Sequence, residues 1–295
     1  MVGFCNGIIT AMITPFTEGG VNLEEFGKMI EFQIAGGADG LVVLGTTGEP
    51  ATMTEEEKVE TIKYAVKKAA GRIKIIVGTG SNDTAKAVKH SVRAEKLGAD
   101  GVLVVTPYYN KCTQKGLYEY YKTICDAVKI PVIAYNVPSR TAVNILPETV
   151  EKLADIPNMA GIKEASGNMA QVCETIRRIR GKMDLYSGED FLNLPMLAVG
   201  GVGLISVTSN VAPTLVKKMY DLVKQNKLDE ANAVQDFLLP LEDACFLEVN
   251  PIPVKAAYNM LGFNAGVPRP PLTELEDKNK EILQREIKRA GLKGV

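Results

Sequence analysis

The chain has 295 residues, a formal net charge of −1, and an ordinary globular share of hydrophobic (46%) and charged (23%) residues. No basic stripe stands out, which argues against nucleic acid as a partner, and no stretch is long and apolar enough to span a membrane. The single histidine, His90, is the one residue through which Ser-His-Asp or Cys-His catalysis could run, and it excludes a multi-histidine metal site.

Short β-branched runs ending in polar clusters mark strands. The first covers residues 8–16. Ala35-Gly-Gly-Ala-Asp-Gly40 then closes a helix and leads into a second run at 40–49. Thr54 and Glu57 form a capping box that opens a helix, with Val59, Ile62, Val66 and Ala69 on one face. The third run is 74–82. Asn82 and Asp83 cap the next helix, which carries His90 between Lys89 and Ser91 and reads as a surface position. Leu97-Gly-Ala-Asp-Gly101 echoes the earlier glycine turn and enters a fourth run at 101–110. A helix with Leu117, Tyr121, Ile124 and Val128 follows, then runs at 131–138 and 159–166. Val172, Ile176 and Ile179 mark another helix before the seventh run, 184–190. Gly200-Gly-Val-Gly203 turns the chain into the eighth, 203–210. From Pro213 the pattern is helical, with Val216, Met219, Tyr220 and Val223 on one stripe, and helical runs continue to Lys293 around Val267-Pro-Arg-Pro-Pro271.

Eight strands alternating with helices predict a parallel sheet closed as a (β/α)8 TIM barrel over residues 1–224, with a C-terminal helical appendage over 225–295. A doubly wound open sheet is the alternative. It normally carries a glycine-rich fingerprint after its first strand, but that strand ends in Thr14-Pro15-Phe16. The five cysteines form no C-x-x-C pair, so neither a disulfide framework nor a zinc cluster is expected. With no signal-peptide pattern at the N-terminus, the expected location is the cytoplasm.

In a barrel of this kind the C-terminal strand ends build the active site. Lys163 sits late in the sixth run, where side-chain alternation lets it or Glu164 face the barrel axis, but not both. Facing inward, its amine loses hydration, its pKa falls, and the neutral form can attack a carbonyl to give a Schiff base. A strand lysine taken alone more often lifts its charge to the rim. Tyr135 ends the neighbouring run, and its phenol can move a proton where no histidine competes, although by itself it also reads as a core aromatic. Thr46 and Thr47 lie in a glycine-flanked turn that can hold a carboxylate or simply cap a helix. Arg140 offers a planar fork for a second carboxylate or is a surface residue.

Gly45-Thr-Thr-Gly-Glu49, Thr106-Pro-Tyr-Tyr-Asn110, Tyr135-Asn-Val-Pro138 with Arg140, Gly161-Ile-Lys-Glu-Ala-Ser166 and Asn250-Pro-Ile-Pro-Val-Lys255 together resemble the dihydrodipicolinate synthase family. That family lies within the Schiff-base pyruvate aldolases and lyases, and the resemblance runs nearly end to end. It implies that Lys163 condenses with pyruvate and that the enamine attacks L-aspartate 4-semialdehyde. Transimination and ring closure then release 4-hydroxy-tetrahydrodipicolinate, a step of diaminopimelate and lysine biosynthesis that needs no cofactor or metal beyond the covalent adduct. By motif position Tyr135 is the acid–base residue and Thr46 and Tyr109 complete its relay. Thr47 holds the pyruvate carboxylate and Arg140 that of the semialdehyde, and Gly188 and Ile205 are backbone positions lining the pocket. The resemblance also implies that Tyr109 enters the site of a second subunit, in at least a dimer and usually a homotetramer built from two dimers.

Lysine-inhibited members of that family bind lysine at the dimer interface. Tyr108 and Asn82 match that site, but Lys86 stands where a glutamate would meet the effector's ammonium, Glu55 and Lys58 stand in place of histidines, and Pro50 replaces a serine. Like charge at Lys86 predicts weak or absent feedback by lysine. The main alternative activity is another pyruvate-dependent class I aldolase, such as N-acetylneuraminate lyase or a keto-deoxy sugar acid aldolase, which would share Lys163 and Tyr135. Arg140 and the Tyr108-Tyr109 pair favour the synthase. A non-catalytic metabolite-binding barrel would have no need to keep Lys163 and Tyr135.

Overall fold

Eight parallel strands close into a barrel in the computed structural model, which describes residues 2–292. The strands are β1 (Gly7–Ala11), β2 (Gly40–Val43), β3 (Lys74–Gly78), β4 (Gly101–Val105), β5 (Val132–Asn136), β6 (Met159–Glu164), β7 (Asp184–Ser187) and β8 (Gly203–Ser206). Each pairs with its sequence neighbours, and β8 pairs with β1 through Gly7↔Gly203 and Ile9↔Ile205. The expected (β/α)8 barrel is the observed fold. The expected helical run to Lys293 ends outside the described residues.

Both faces of the strands are apolar, which produces near-continuous hydrophobic runs. Ile9, Val42, Ile76, Leu103, Ile133 and Ile205 fill the barrel interior. Their sequence neighbours Ile8, Leu41, Val43, Ile75, Val77 and Val102 pack outward under the helices. This two-residue alternation decides which side chain at each strand end looks into the mouth.

The strands are shorter than the sequence runs that announce them. Leu44 takes a left-handed backbone (φ 59°), which ends the β2 ladder before the Gly45–Glu49 turn. Residues 8–16 are not one strand, because Phe16–Thr17 leaves the barrel and pairs with Gly20–Val21 in a small antiparallel hairpin. The polar ends of the runs are loops, and those loops carry the site.

The outer helices are α1 (Leu23–Ala35), α2 (Glu55–Ala69), α3 (Thr84–Lys96), α4 (Gln114–Ala127), α5 (Pro147–Leu153), α6 (Met169–Ile179), α7 (Asn193–Ala198) and α8 (Pro213–Lys224). The Thr54–Glu57 capping box is present with both hydrogen bonds, 2.9 and 3.2 Å long. Asp83 caps α3. Beyond α8 come α9 (Leu228–Cys245), α10 (Ile252–Met260) and α11 (Asp277–Arg289). α9 packs on α8 and α11, and α10 packs on α11. Among the described residues no helix is long and apolar enough to cross a membrane.

Candidate active site at the mouth of the barrel

Lys163 and Tyr135 are register partners on β6 and β5, so both project into the barrel, while their neighbours Glu164 and Asn136 face out. Behind the wall the Asn136 amide donates to both Glu164 carboxylate oxygens (3.2 and 3.0 Å), and the Ser166 N–H donates to Glu164 at 2.7 Å. These bonds hold the end of β6 and with it the direction of the Lys163 side chain. Gly188, at the end of β7, leaves room for that side chain: a Cβ there would lie 2.7 Å from Lys163 Cε.

The Lys163 ammonium nitrogen lies 4.4 Å from the centroid of the Tyr135 ring. Burial pulls the lysine down to a pKa of about 8, with Arg140 acting in the same direction and the carboxylates of Asp190 and Glu189 opposing. Burial also pushes the Tyr135 phenol up to about 12, opposed by the Arg140 guanidinium and the nearby Thr46 hydroxyl. The amine is thus available near neutral pH, and the phenol keeps its proton until it is asked to give one up.

A cavity of about 220 Å³ joins these groups, lined by Lys163, Tyr135, Thr46, Thr47, Arg140 and Gly188 among others. Its volume suits a substrate of a few carbons. The expectation for Ile205 concerns its backbone. Its side chain lies in the apolar interior of the barrel, and Val207, just past the end of β8, lines the cavity.

Several lining residues had no role assigned from the sequence. Glu189 and Phe246 carried no motif signal, and Asn250 belonged to a motif with no role attached. Asn250 comes from the segment between α9 and α10, so the helical appendage completes the site. Its Nδ2 donates to Thr47 Oγ1 at 2.8 Å, and its carbonyl accepts from Arg140 Nη2 at 3.5 Å. A buried ion pair locks this segment to the Gly45–Glu49 turn: Lys255 Nζ donates to Glu49 Oε1 at 2.7 Å, with the two side chains 0% and 2% exposed. The Arg269 N–H donates to the other Glu49 oxygen at 2.9 Å.

Tyr109 is 91% exposed with a left-handed backbone (φ 68°). It borders a wider cleft of about 790 Å³ that opens beside the cavity and includes Thr46, Tyr135, Tyr108, His90 and Lys58. His90 is half-buried in that cleft rather than free on the surface, and burial lowers its pKa. Glu55 accepts from Lys58 (2.9 Å) and Arg93 (2.5 Å). Lys86 is exposed on α3, the Asn82 carbonyl accepts from Asn110 Nδ2 at 2.9 Å, and Pro50 lines the wider cleft.

An inward, desolvated lysine at the mouth of a (β/α)8 barrel defines the class: barrel enzymes that act on a carbonyl through a covalent amine adduct. Residues 4–290 match the model of the dihydrodipicolinate synthetase family, and the chain belongs to that family. It is 50% identical over 278 residues to the 4-hydroxy-tetrahydrodipicolinate synthase of Caldicellulosiruptor bescii, covering 94% of each chain. It superposes with a TM-score of 0.95 on the crystal structure of dihydrodipicolinate synthase from Aquifex aeolicus, at 45% identity and covering 97% of this chain and 98% of that one. A structure described as the first monomeric dihydrodipicolinate synthase variant matches with a TM-score of 0.97 at 41% identity, covering 99% of this chain and 100% of that one.

Proposed function

We propose that the chain is a lyase that condenses pyruvate with L-aspartate 4-semialdehyde to give 4-hydroxy-tetrahydrodipicolinate, in the route to diaminopimelate and lysine. The neutral Lys163 amine adds to the pyruvate carbonyl carbon, and loss of water leaves the Schiff base. A methyl proton then departs and the resulting enamine carbon bonds to the aldehyde carbon. Finally the amino group of the semialdehyde displaces Lys163 and closes the ring, so the lysine is regenerated and no further cofactor is consumed.

Tyr135 moves the protons in this scheme, with Thr46 beside it and Tyr109 of a second subunit completing the relay. Thr47 holds the pyruvate carboxylate, and Gly188 shapes the wall next to Lys163. Arg140 meets the carboxylate of the aldehyde. Its one side-chain hydrogen bond among the described residues is the long contact to the Asn250 carbonyl, so its fork is open to a ligand. That open cation favours a carboxylate-bearing aldehyde over the sugar substrate of N-acetylneuraminate lyase. The working assembly is at least a dimer, with a homotetramer built from two such dimers. The division into a barrel over 1–224 and an appendage over 225–295, and a cytoplasmic location, belong to the same reading.

The observation that carries the proposal is the buried Lys163 amine held against Tyr135 with its pKa drawn down to about 8. Borohydride reduction in the presence of pyruvate, followed by peptide mass mapping, tests it. The adduct is expected on Lys163, and recovery on any other lysine would overturn the assignment.

A further inference from the structure

The residues around Lys163 contain two acceptors that the protein leaves without donors. Glu189 follows Gly188 at the end of β7, lines the cavity and is about half-buried. Its carboxylate accepts no hydrogen bond among the described residues, and what acts on it is burial, the neighbouring Asp190, Lys163 and Arg140. Asn250 lines the same cavity and is 6% exposed. Its Nδ2 is committed to Thr47, while its Oδ1 is buried with no partner among the described residues. Leaving a buried acceptor unmet costs free energy that a ligand donor restores.

The charges in the cavity are also laid out in a particular way. Arg140 is an open cation beside Asn250, and Glu189 is an open anion within electrostatic reach of both Arg140 and Lys163. A ligand with a carboxylate alone would satisfy Arg140 and leave Glu189 and Asn250 Oδ1 stranded. An α-amino acid head, with carboxylate and ammonium on one carbon, carries a complementary group for each of the three.

We propose that Glu189, assisted by Asn250 Oδ1, is the ammonium-recognising half of the site for the second substrate, and so selects an amino-acid aldehyde over one without the amino group. The proposal rests on the functional reading above. The ammonium N–H groups donate to the Glu189 carboxylate and to Asn250 Oδ1 while the carboxylate of the same carbon takes the Arg140 fork. Lys163 ceases to be a competing cation at that stage because its nitrogen is held in the neutral enamine. Glu189 is therefore freest to accept an external ammonium when the aldehyde arrives.

The test compares the unsubstituted enzyme with Glu189→Gln. Three quantities are measured: pyruvate trapped on Lys163 by borohydride, the KM for L-aspartate 4-semialdehyde, and the inhibition constant of 4-oxobutanoate, which has the same carboxylate and aldehyde but no amino group. The expected result is a KM raised about tenfold or more, the loss of one charge-assisted hydrogen bond. The 4-oxobutanoate constant should stay unchanged, with one pyruvate still trapped per subunit. A parallel rise in both constants, as a distorted cavity would give, or no change in either, would overturn the proposal. A fall in kcat with the ratio of the two constants preserved would make Glu189 a proton-transfer group and would also overturn it. If the unsubstituted enzyme traps no pyruvate on Lys163, the underlying reading fails first, and that outcome is distinct from the others.

Discussion

Lys163 and Tyr135 face each other across paired strands, with the lysine nitrogen 4.4 Å from the centroid of the phenol ring. The π face of the ring favours the ammonium form, yet burial wins and the amine titrates near 8. The acid form of lysine is the cation, so the nucleophilic fraction grows as pH rises and is half-developed at about pH 8. The initial rate of pyruvate trapping should climb through that region and level off above it. Lys163→Ala should trap nothing. Tyr135→Phe should still place the adduct on Lys163 but slow turnover by about 10²- to 10⁴-fold.

Tyr109 is 91% exposed, an unusual place for a residue assigned to a proton relay unless a second chain covers it. If one chain supplies Lys163 and its partner supplies Tyr109, two inactive variants can rescue each other. Mixing Lys163→Ala with Tyr109→Phe under conditions that exchange subunits should restore about a quarter of the unsubstituted activity, because half the dimers are mixed and each holds one intact site. Activity no higher than the sum of the separate variants would place the relay within one chain.

The Glu49–Lys255 pair, almost fully buried, holds the Gly45–Glu49 turn against the C-terminal segment. Removing one partner leaves an uncompensated charge in the core. Lys255→Met should therefore destabilise the protein by about 3–5 kcal/mol, whereas the double change Glu49→Gln with Lys255→Met should cost less than the single one. Denaturant unfolding of both variants measures the difference. A double variant less stable than the single one would show that Glu49 holds the turn through the oxygen that accepts from the Arg269 N–H, and not through the ion pair.

The residues at the positions matching the family's lysine site predict weak or absent feedback by lysine. Glu55 is already bonded to Lys58 and Arg93, and Lys86 adds an exposed positive charge on α3 that opposes an incoming ammonium. Millimolar lysine at neutral pH should leave the initial rate unchanged. Half-inhibition at micromolar lysine would contradict the reading of Lys86, and Lys86→Glu is the variant in which sensitivity should appear.

Glu242 on α9 is fully buried, takes one hydrogen bond from Gln235 (2.8 Å) and has its other oxygen without a partner among the described residues. Burial raises its pKa to about 9, helped by Asp190 and Asp243. The folded value exceeds the unfolded one near 4.5, so the favourable contribution is complete below about 4.5 and is lost progressively up to about 9. Compared with Glu242→Gln, the unsubstituted protein should lose thermal stability steadily from pH 5 to pH 9, with the gap constant above that. A gap that does not change with pH would mean Glu242 is ionised throughout or never ionises.

Local regularities carried much of this into the sequence. The two-residue alternation of β6 sets Lys163 and Glu164 on opposite faces, and Thr54 with Glu57 starts α2 wherever that segment folds, because both depend on backbone geometry within a few residues. The eight alternating units and the motif around Lys163 were legible for the same reason. Tertiary structure alone decided the rest. It ended β2 at Val43, where Leu44 adopts a left-handed backbone, and it brought Val207, just past β8, into the cavity wall. It brought Asn250 to Thr47 across 203 positions and Lys255 to Glu49 across 206. It also drew Glu189 beside Lys163 and removed enough water to bring the amine within reach of neutral pH. Desolvation and long-range pairing are sums over neighbours contributed by many segments at once, and they exist only after the barrel has closed and the C-terminal helices have folded back over its mouth.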